Sequence, residues 1–305
     1  MTYITTKEAA EKWELSDRRV RVLCSQEKIE GVMKQGKSYM IPADAQKPGD
    51  GRKLRGKIVP VIYRALFMRI GTKKEKLDDC RPLTSGETKR LGEEFMIEFT
   101  YNSNAIEGNT LTLQETAMVL EGMTIDKKPL KDHLEAVGHR DAFQYLQHLV
   151  SEKMPLSERV IKEVHSLVLM DRSEDKGVYR SIPVRIMGAF HEPPQPYIVP
   201  KKMEQLMIDN NKKKMVHTLE RIAWFHLTFE GIHPFIDGNG RTGRLILNFD
   251  LMQNGYPAIN VKFTDRKRYY EAFDAYYRDK DVSPMVIMLA EYVEERLDRY
   301  LEMLG

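Results

Sequence analysis

One short stretch of this sequence concentrates side chains suited to phosphate chemistry. It spans residues 233–244 and reads His-Pro-Phe-Ile-Asp-Gly-Asn-Gly-Arg-Thr-Gly-Arg. Two glycines, 238 and 240, precede a run with a helical apolar pattern. Backbone amides at a helix N-terminus bind anions when no side chain obstructs them. Arg241 and Arg244 lie three positions apart, so both guanidinium groups can point the same way and suit a polyphosphate.

Three further side chains of this stretch complete a candidate site. Asp237 can supply a carboxylate oxygen to a Mg²⁺ ion that bridges phosphates. His233 is the usual type of residue for general-base work near neutral pH. Asn239 can donate an amide hydrogen bond to a phosphate oxygen. We therefore expect a nucleotide to contact the loop and first helical turn, namely Gly238, Asn239, Gly240, Arg241, Thr242, Gly243 and Arg244.

Other interpretations of the same letters are weaker. Residues 238–243 match G-x-G-x-x-G, but a dinucleotide fingerprint requires a preceding buried strand. Residues 219–227 instead have a helical pattern, and no βαβ repeat surrounds them. The sequence contains no Walker-type G-x-x-x-x-G-K-[ST] motif, and the spacing of His226 and His233 matches no common zinc pair.

The stretch resembles the signature of the Fic (Fido) family, H-P-F-x-[DE]-G-N-G-R-x-x-R, at every defined position. The resemblance covers roughly residues 90–295. It includes residues 225–232, the segment Gly177-Val-Tyr-Arg180, and Arg268-Tyr-Tyr-Glu-Ala-Phe. Members of the family usually transfer AMP from ATP to a hydroxyl of a target protein. The resemblance implies a mainly α fold, a Fic-type helical bundle with a β-hairpin flap.

The resemblance also implies roles for the residues of the signature. His233 would deprotonate a Ser, Thr or Tyr hydroxyl of the target, whose oxygen would attack the α-phosphate in line. Asp237 would hold Mg²⁺ on the α- and β-phosphates. Asn239 and the glycines on either side of it would line an anion hole. Arg241 would neutralise developing charge, and Arg244 would grip the γ-phosphate.

A flap is expected between residues 181 and 200, where apolar residues alternate and Gly188 can turn the chain. The part near Val184–Gly188 resembles the family's flap, which aligns a target segment by strand addition. Its residues Ile186, Met187 and Gly188 would help to pin the adenosine. Tyr269 and Tyr270 occupy the region where relatives contact adenine, although aromatic residues of a helix core would give the same pattern.

A second motif lies upstream of the signature. Residues 103–108 read Ser-Asn-Ala-Ile-Glu-Gly and fit [ST]-x-x-x-E-[GN], which resembles the inhibitory motif of the family. The resemblance implies an inhibitory helix at about residues 95–110, in which Ser103 and Glu107 face Arg244. Glu107 would occupy the place of the γ-phosphate and misalign ATP for in-line attack. A surface glutamate at a helix end is the alternative. In some relatives the same glutamate orients a water that removes AMP.

Several elements must position these residues. Thr112 with Glu115 predicts a capping box, and Ser157 predicts the start of a helix with apolar residues at helical spacing. His165 on that helix is expected to be a core or interface histidine. We expect a linker at residues 47–53, which separates a domain at residues 1–46 from a Fic domain at residues 54–305.

The pattern of residues 1–46 predicts two helices and a pair of strands. Thr5 with Glu8 forms another capping box, a second helix follows Ser16, and strands are expected at residues 31–34 and 38–42. This arrangement resembles the small winged helix-turn-helix of excisionase and MerR-type regulators. Residues 1–57 hold 13 basic and 8 acidic residues. The segment is therefore expected to bind DNA, with protein docking as the alternative.

Composition limits the function class further. The chain has 305 residues and a net charge of +3, without an apolar run long enough to cross a bilayer. Its start lacks an apolar signal-peptide core, so we expect a cytoplasmic protein. Its two cysteines exclude a disulfide scaffold.

Three functions are compatible with these patterns. The first is an autoinhibited, ATP- and Mg²⁺-dependent protein adenylyltransferase, with removal of AMP as an added activity and a homodimer as a possible assembly. The second is a DNA-binding regulator whose Fic-like domain senses nucleotide. The third is the transfer of another phosphate-containing group, such as UMP or phosphocholine.

Overall fold

A computed structural model describes residues 3–13, 15–25, 29, 31–36, 38–46, 61–80, 85–170, 172–186, 188, 191–213 and 216–304. The chain divides into two compact units, residues 1–53 and residues 54–305. The expected linker at residues 47–53 lies outside the described residues. No described helix combines the length and the apolar character needed to span a membrane.

The first unit contains two helices and a small antiparallel sheet. Its elements are β1 (Tyr3–Thr5), α1 (Thr6–Lys12), α2 (Asp17–Ser25), β2 (Met33–Gln35) and β3 (Ser38–Pro42). The strand order is β1-β3-β2, with Tyr3 opposite Pro42 and Met33 opposite Met40. The two helices and the strand pair occur where the sequence predicts them, whereas β1 was not predicted.

A hydrophobic core of its own supports this unit. Five apolar side chains of its helices and the turn between them are buried: Ala9, Ala10, Trp13, Val20 and Leu23. Thr5 and Glu8 form the predicted capping box at the start of α1. The strands therefore have an apolar surface against which they can pack, which a sheet of this size needs for stability. That this unit is a DNA-binding winged helix-turn-helix stays a prediction.

The second unit is built from helices. In chain order they are α3 (Val61–Asp79), α4 (Ser85–Ile106), α5 (Leu113–Leu120), α6 (Leu130–Ser151), α7 (Glu158–Val168), α8 (Val199–Lys212), α9 (Thr218–Ile232), α10 (Asn239–Gln253), α11 (Arg266–Asp279) and α12 (Ser283–Leu304). The predicted caps at Thr112 and Ser157 both form, so α5 and α7 begin where the sequence indicates. The expectation of a mainly α fold is confirmed.

Helix α10 lies at the centre of this unit and packs against α4, α6, α7 and α9. Nearly all of its residues are buried, including the polar residues of its first turn. A helix that is enclosed on all sides has a fixed position. The glycine-rich loop that leads into α10 is therefore held on a rigid support.

The flap segment, which we define as residues 181–195, differs from its prediction. No strand forms among residues 181–186, 188 and 191–195, so the expected β-hairpin is wrong for these residues. Pro183 lies within the alternating run and has no backbone N–H to donate to a ladder. An isolated pair of strands is also marginally stable without a sheet beside it. Met187 lies outside the described residues.

Candidate active site

His233 lies at the end of α9 in a left-handed backbone conformation, with φ 49° and ψ 61°. Its Nδ1 is 3.3 Å from the carbonyl oxygen of Glu230. A carbonyl can only accept, so Nδ1 carries the proton and Nε2 keeps a free lone pair. Burial lowers the pKa of His233 below its usual value. The side chain is therefore a neutral imidazole at pH 7 and is ready to accept a proton.

The turn between His233 and α10 is closed by an asparagine. Asn239 is 2% exposed, and its side chain accepts from the N–H of Phe235 and donates to its carbonyl, both at 2.9 Å. Gly238 has a positive φ of 72° and caps α10. One N–H of the Asn239 amide therefore binds the loop backbone. That Asn239 also donates to a phosphate stays a prediction.

Asp237 stands at the edge of the glycine-rich loop and is partly exposed. Its Oδ1 accepts from the N–H of Gly238 at 2.7 Å. Two guanidinium groups flank the carboxylate at 3.6 Å, Arg172 on Oδ2 and Arg241 on Oδ1. Among the described residues, no group of three or more His, Cys, Asp or Glu side chains could hold a metal ion. One carboxylate fits a Mg²⁺ ion whose other ligands are substrate phosphates and waters.

Arg241 forms an ion pair that the sequence did not predict. Its Nη1 is 3.0 Å from Oε1 of Glu135 on α6, and both side chains are buried. Asn109 donates to the other oxygen of this carboxylate at 2.9 Å. Within the described residues, Nε of Arg241 has no hydrogen-bond partner. Since an unpaired buried donor is costly, the surrounding groups satisfy the guanidinium of Arg241 only in part.

Arg244 is bound by the segment that contains the second motif. Its Nη2 donates to Oε1 of Glu107 and to the carbonyl of Ser103, both at 2.7 Å. Its Nε donates to the Ser103 hydroxyl at 3.0 Å. The guanidinium is 1% exposed and the Glu107 side chain 34% exposed. The structure therefore brings together the three residues that the sequence predicts to interact.

Glu107 lies in the turn directly after α4, not within the helix. Helix α4 ends at Ile106, and Gly108 follows with a φ of 92°. The predicted inhibitory helix at about residues 95–110 thus ends earlier than expected. The carboxylate of Glu107 packs so closely on α10 that a Cβ at Gly240 would lie 2.1 Å from its Oε1. Glycine at this position therefore permits the contact.

The chain after Glu107 is attached to α6. Thr110 donates through its N–H and its hydroxyl to Oδ2 of Asp132, at 2.9 Å and 2.5 Å. Asn109 also donates to the carbonyl of Asp132 at 3.1 Å. These bonds hold the turn that presents Glu107, so its position depends on α6 as well as on α4.

His165 is fully buried, as the sequence predicts for a core histidine. Its Nδ1 accepts from the N–H of Gly177 at 2.9 Å, so its Nε2 donates to the carbonyl of Asp237 at 3.0 Å. The ring stacks on Phe235 at 3.7 Å. Burial lowers the pKa of His165 to about 4. His165 therefore supports the backbone of the loop and is not itself part of the candidate site.

The remaining predicted residues divide into buried and accessible ones. Thr242 is 0% exposed and Tyr269 is 2% exposed. Tyr269 shares a hydrogen bond of 2.6 Å with Nε2 of His226. Both side chains lie in the core, and their nucleotide contacts stay a prediction. Tyr270 is 48% exposed, and its hydroxyl donates to the carbonyl of Ile106 at 3.4 Å, beside Glu107.

Glu230 is a buried acid that the sequence analysis missed. Within the described residues, its Oε1 has no hydrogen-bond partner, and a Cβ at Gly243 would lie 2.1 Å from that atom. Burial raises the pKa of Glu230 to about 8. The signal for Glu230 was its place in residues 225–232, which the family resemblance includes. No local pattern marked Glu135, because its partner Arg241 is distant in sequence.

Comparisons with known proteins find similarity to one family. Residues 155–251 match the Fic/DOC family. The chain is 34% identical to the protein adenylyltransferase Fic of Nematostella vectensis over 83% of its length. It is also 34% identical to that of Drosophila grimshawi, over 82% of its length. It spans 61% and 52% of these two relatives.

Solved structures agree with the sequence matches. A Fic domain containing signaling protein from Bacteroides thetaiotaomicron superimposes with a TM-score of 0.71 and 29% identity, over 77% of this chain and 96% of the other. Residues 134–508 of Fic-1 from C. elegans superimpose with a TM-score of 0.70 and 28% identity, over 79% and 72% of the two chains. Residues 155–251, which include the buried helix α10 and the loop before it, are therefore the part of the chain that matches the Fic/DOC family.

Proposed function

We propose that this protein is an autoinhibited protein adenylyltransferase, which transfers AMP from ATP to a hydroxyl group of a target protein. The observation that carries the proposal is the contact of Arg244 with Glu107. A buried guanidinium near the N-terminus of α10, a place that favours anions, is occupied by a carboxylate from the turn after α4. The names of the relatives, which are called protein adenylyltransferases, support the same activity.

In this proposal His233 performs the proton transfer. Its neutral Nε2 accepts the proton of a Ser, Thr or Tyr hydroxyl of the target. The hydroxyl oxygen bonds to the α-phosphorus of ATP, and the bond from that phosphorus to the β-bridging oxygen breaks. Pyrophosphate leaves with the electron pair. The low pKa of His233 keeps the imidazole in its accepting form at neutral pH.

The other groups bind and orient the phosphates. Backbone amides of the first turn of α10 face the anion because a helix leaves these donors without intrahelical partners. Arg241 places a positive charge near the phosphates, and its ion pair with Glu135 orients the guanidinium. A Mg²⁺ ion held by Asp237 would supply positive charge to the α- and β-phosphates. Arg244 is free for the γ-phosphate only after Glu107 has moved away.

The experiment is incubation with labelled ATP and Mg²⁺. We expect Glu107→Gly to label itself at least about tenfold more than the parent, since tenfold is a shift of only 1.4 kcal/mol between two arrangements. His233→Ala in the Glu107→Gly background should lower labelling by about 10²–10⁴, the usual contribution of a general base. Equal labelling by all three proteins would disprove the proposal.

We further propose that Glu107 orients a water that removes AMP, since its carboxylate is partly exposed beside Arg244. The labelled Glu107→Gly protein, freed of ATP, provides the test. Addition of unlabelled parent protein should release labelled AMP, whereas addition of more Glu107→Gly protein should not. Equal release in both samples contradicts this second role.

A further inference from the structure

The last turn of α9 exposes carbonyl groups at the base of the candidate site, and one arginine satisfies several of them. An α-helix leaves its final carbonyls without intrahelical partners. Arg180, which is 5% exposed, donates from Nε to the carbonyl of His233 at 2.8 Å and from Nη2 to that of Ile232 at 3.5 Å. Its backbone N–H donates to the carbonyl of Pro234 at 2.9 Å. Arg180 therefore caps three successive carbonyls around His233.

The same guanidinium also binds both ends of the flap segment. Nη1 donates to the carbonyl of Ile182 at 3.1 Å, and Nη2 donates to the carbonyl of Pro194 at 2.5 Å. Among the described residues, Arg180 has no carboxylate partner, so its side-chain bonds all go to backbone carbonyls. A buried arginine without an ion-pair partner is unusual, because desolvation of its charge is costly. Its bonds to chain segments must outweigh that cost.

The conformation of His233 explains why such a cap is needed. A non-glycine residue in the left-handed region is strained and persists only where surrounding contacts determine it. A positive charge at a helix C-terminus is also favourable, because the helix dipole places partial negative charge there. His191, which lies within the flap segment, adds a donor from Nε2 to the carbonyl of Gly231 at 2.8 Å. The flap segment and the turn of His233 thus share their hydrogen bonds.

We propose that Arg180 is a positioning residue that locks the His233 turn and the two ends of the flap segment into one rigid unit. Its consequence for AMP transfer rests on the proposed function, whereas the locking itself does not. Because the guanidinium fork spans carbonyls in different directions, the single ammonium group of lysine cannot replace it. Arg180→Lys therefore keeps the charge and removes the geometry.

The matched control is Arg221→Lys. Arg221 is also a mostly buried arginine, located near the start of α9, and it binds Asp250 through two bonds of 2.6 Å. Helix α9 rises about 1.5 Å per residue, so Arg221 lies far along the helix from His233. Loss of the paired hydrogen bonds of Arg221 should destabilise the protein and leave the turn of His233 unchanged. An effect seen only in Arg180→Lys is then specific to the bonds that join the flap segment to the turn of His233.

The first measurement is limited trypsin digestion of the full chain, followed by mass spectrometry. Arg185 is exposed within the flap segment. When the ends of the segment are released, cleavage after Arg185 should become about tenfold faster in Arg180→Lys, as expected for a lowered local opening energy. Arg221→Lys should be cleaved at the parent rate. Equal rates in the two variants would overturn the proposal.

The second measurement is an NMR pH titration of the His233 imidazole. Burial holds its pKa below the usual value. A released turn admits water, so this pKa should rise towards its usual value in Arg180→Lys and stay unchanged in Arg221→Lys. An unchanged pKa in Arg180→Lys would overturn the proposal.

Both measurements are independent of AMP transfer. If Glu107→Gly fails to label while cleavage and titration shift as expected, the proposed function fails and the role of Arg180 stands. If labelling is normal and neither quantity shifts, the role of Arg180 fails. In the Glu107→Gly background, Arg180→Lys should lower kcat more than it raises KM for ATP, because alignment is lost and phosphate contacts remain.

Discussion

Two glutamates share the surroundings of Arg244, and their environments give them different properties. Glu107 is partly exposed and forms an ion pair with the guanidinium. Glu230 is buried, and its Oε1 has no hydrogen-bond partner among the described residues. Burial raises the pKa of Glu230 to about 8. At neutral pH Glu230 is thus mostly protonated. Glu107 is the acid that balances the charge of Arg244.

The buried acid makes stability depend on pH in a defined direction. The pKa of Glu230 is higher in the folded state than its usual value of 4.5. The folded protein therefore binds more protons between these two values, and the contribution of Glu230 is lost as the pH rises through about 8. We expect Glu230→Gln to be more stable than the parent at pH 9 by about 1–3 kcal/mol, the cost of an unsatisfied buried group. The two proteins should be similar at pH 4.

Urea unfolding at pH 4, 7 and 9 measures this difference. Glu163→Gln is the control with the opposite sign, since hydrogen bonds from Tyr145 and Arg159 lower the pKa of Glu163. Its contribution is present above the usual pKa and lost in acid. A stability difference for Glu230→Gln that stays constant across the pH range would contradict the prediction.

At the scale of the elements, α10 carries two asparagines that bind neighbouring loops in the same way, Asn239 at its first position and Asn248 in its second half. Asn239 clamps the backbone of Phe235 before the helix. Asn248 clamps the backbone of Ile259 after it, through bonds of 2.9 Å and 2.8 Å. Both side chains are buried. The helix is therefore joined to the adjoining loops by matched pairs of hydrogen bonds, and only the first pair shapes the candidate site.

A comparison of the two asparagines can separate effects on stability from effects on AMP transfer. Asn239→Ala and Asn248→Ala should each destabilise the protein by about 1–3 kcal/mol, because each leaves buried backbone groups unpaired. In the Glu107→Gly background only Asn239→Ala should lose self-labelling, since only its clamp fixes the glycine-rich loop. Thermal unfolding and the labelled-ATP assay measure the two effects. Equal loss of labelling in both variants would show that the clamp acts through stability alone.

At the scale of the whole molecule, the chain consists of two units with separate cores. In the first unit, Val20 and Leu23 of α2 are buried, whereas Arg18 and Arg21 are exposed. Arg21 pairs with Asp17 at 3.0 Å. We propose that this unit binds DNA through that helix and its strand pair. The charge of residues 1–57 and the order of the elements support this proposal.

The DNA proposal predicts a salt-sensitive gel shift. Residues 1–50 should retain the binding of the full chain, and residues 54–305 should lack it. Affinity should fall by more than about tenfold between 50 mM and 200 mM salt, because bound phosphates release counterions. Arg18→Ala should weaken binding, whereas Lys12→Ala removes a cation that binds the carbonyl of Ala43 at 2.7 Å and serves as control. Failure to shift any duplex would favour protein docking.

Much of the architecture could be predicted because its signals are local. The capping boxes at Thr5 and Thr112, the cap at Ser157 and the buried face of α7 follow from spacing along a helix. The prediction of a flap hairpin was wrong because alternation of apolar residues does not by itself provide a neighbouring strand. Arg180 and Glu230 lie in segments that the family resemblance includes, but their roles could not be predicted, since each depends on contacts with another segment. Glu135 had no signal at all.

The sequence by itself determined the residue types of the candidate site, their order around the glycine-rich loop and the helices that carry them. These properties depend on neighbours within a few positions, which a periodic pattern records. The tertiary structure alone decided that Asn239 closes the turn, that Tyr269 is buried and that Arg180 joins the flap segment to His233. Such assignments depend on which distant groups meet in space and how much water remains between them.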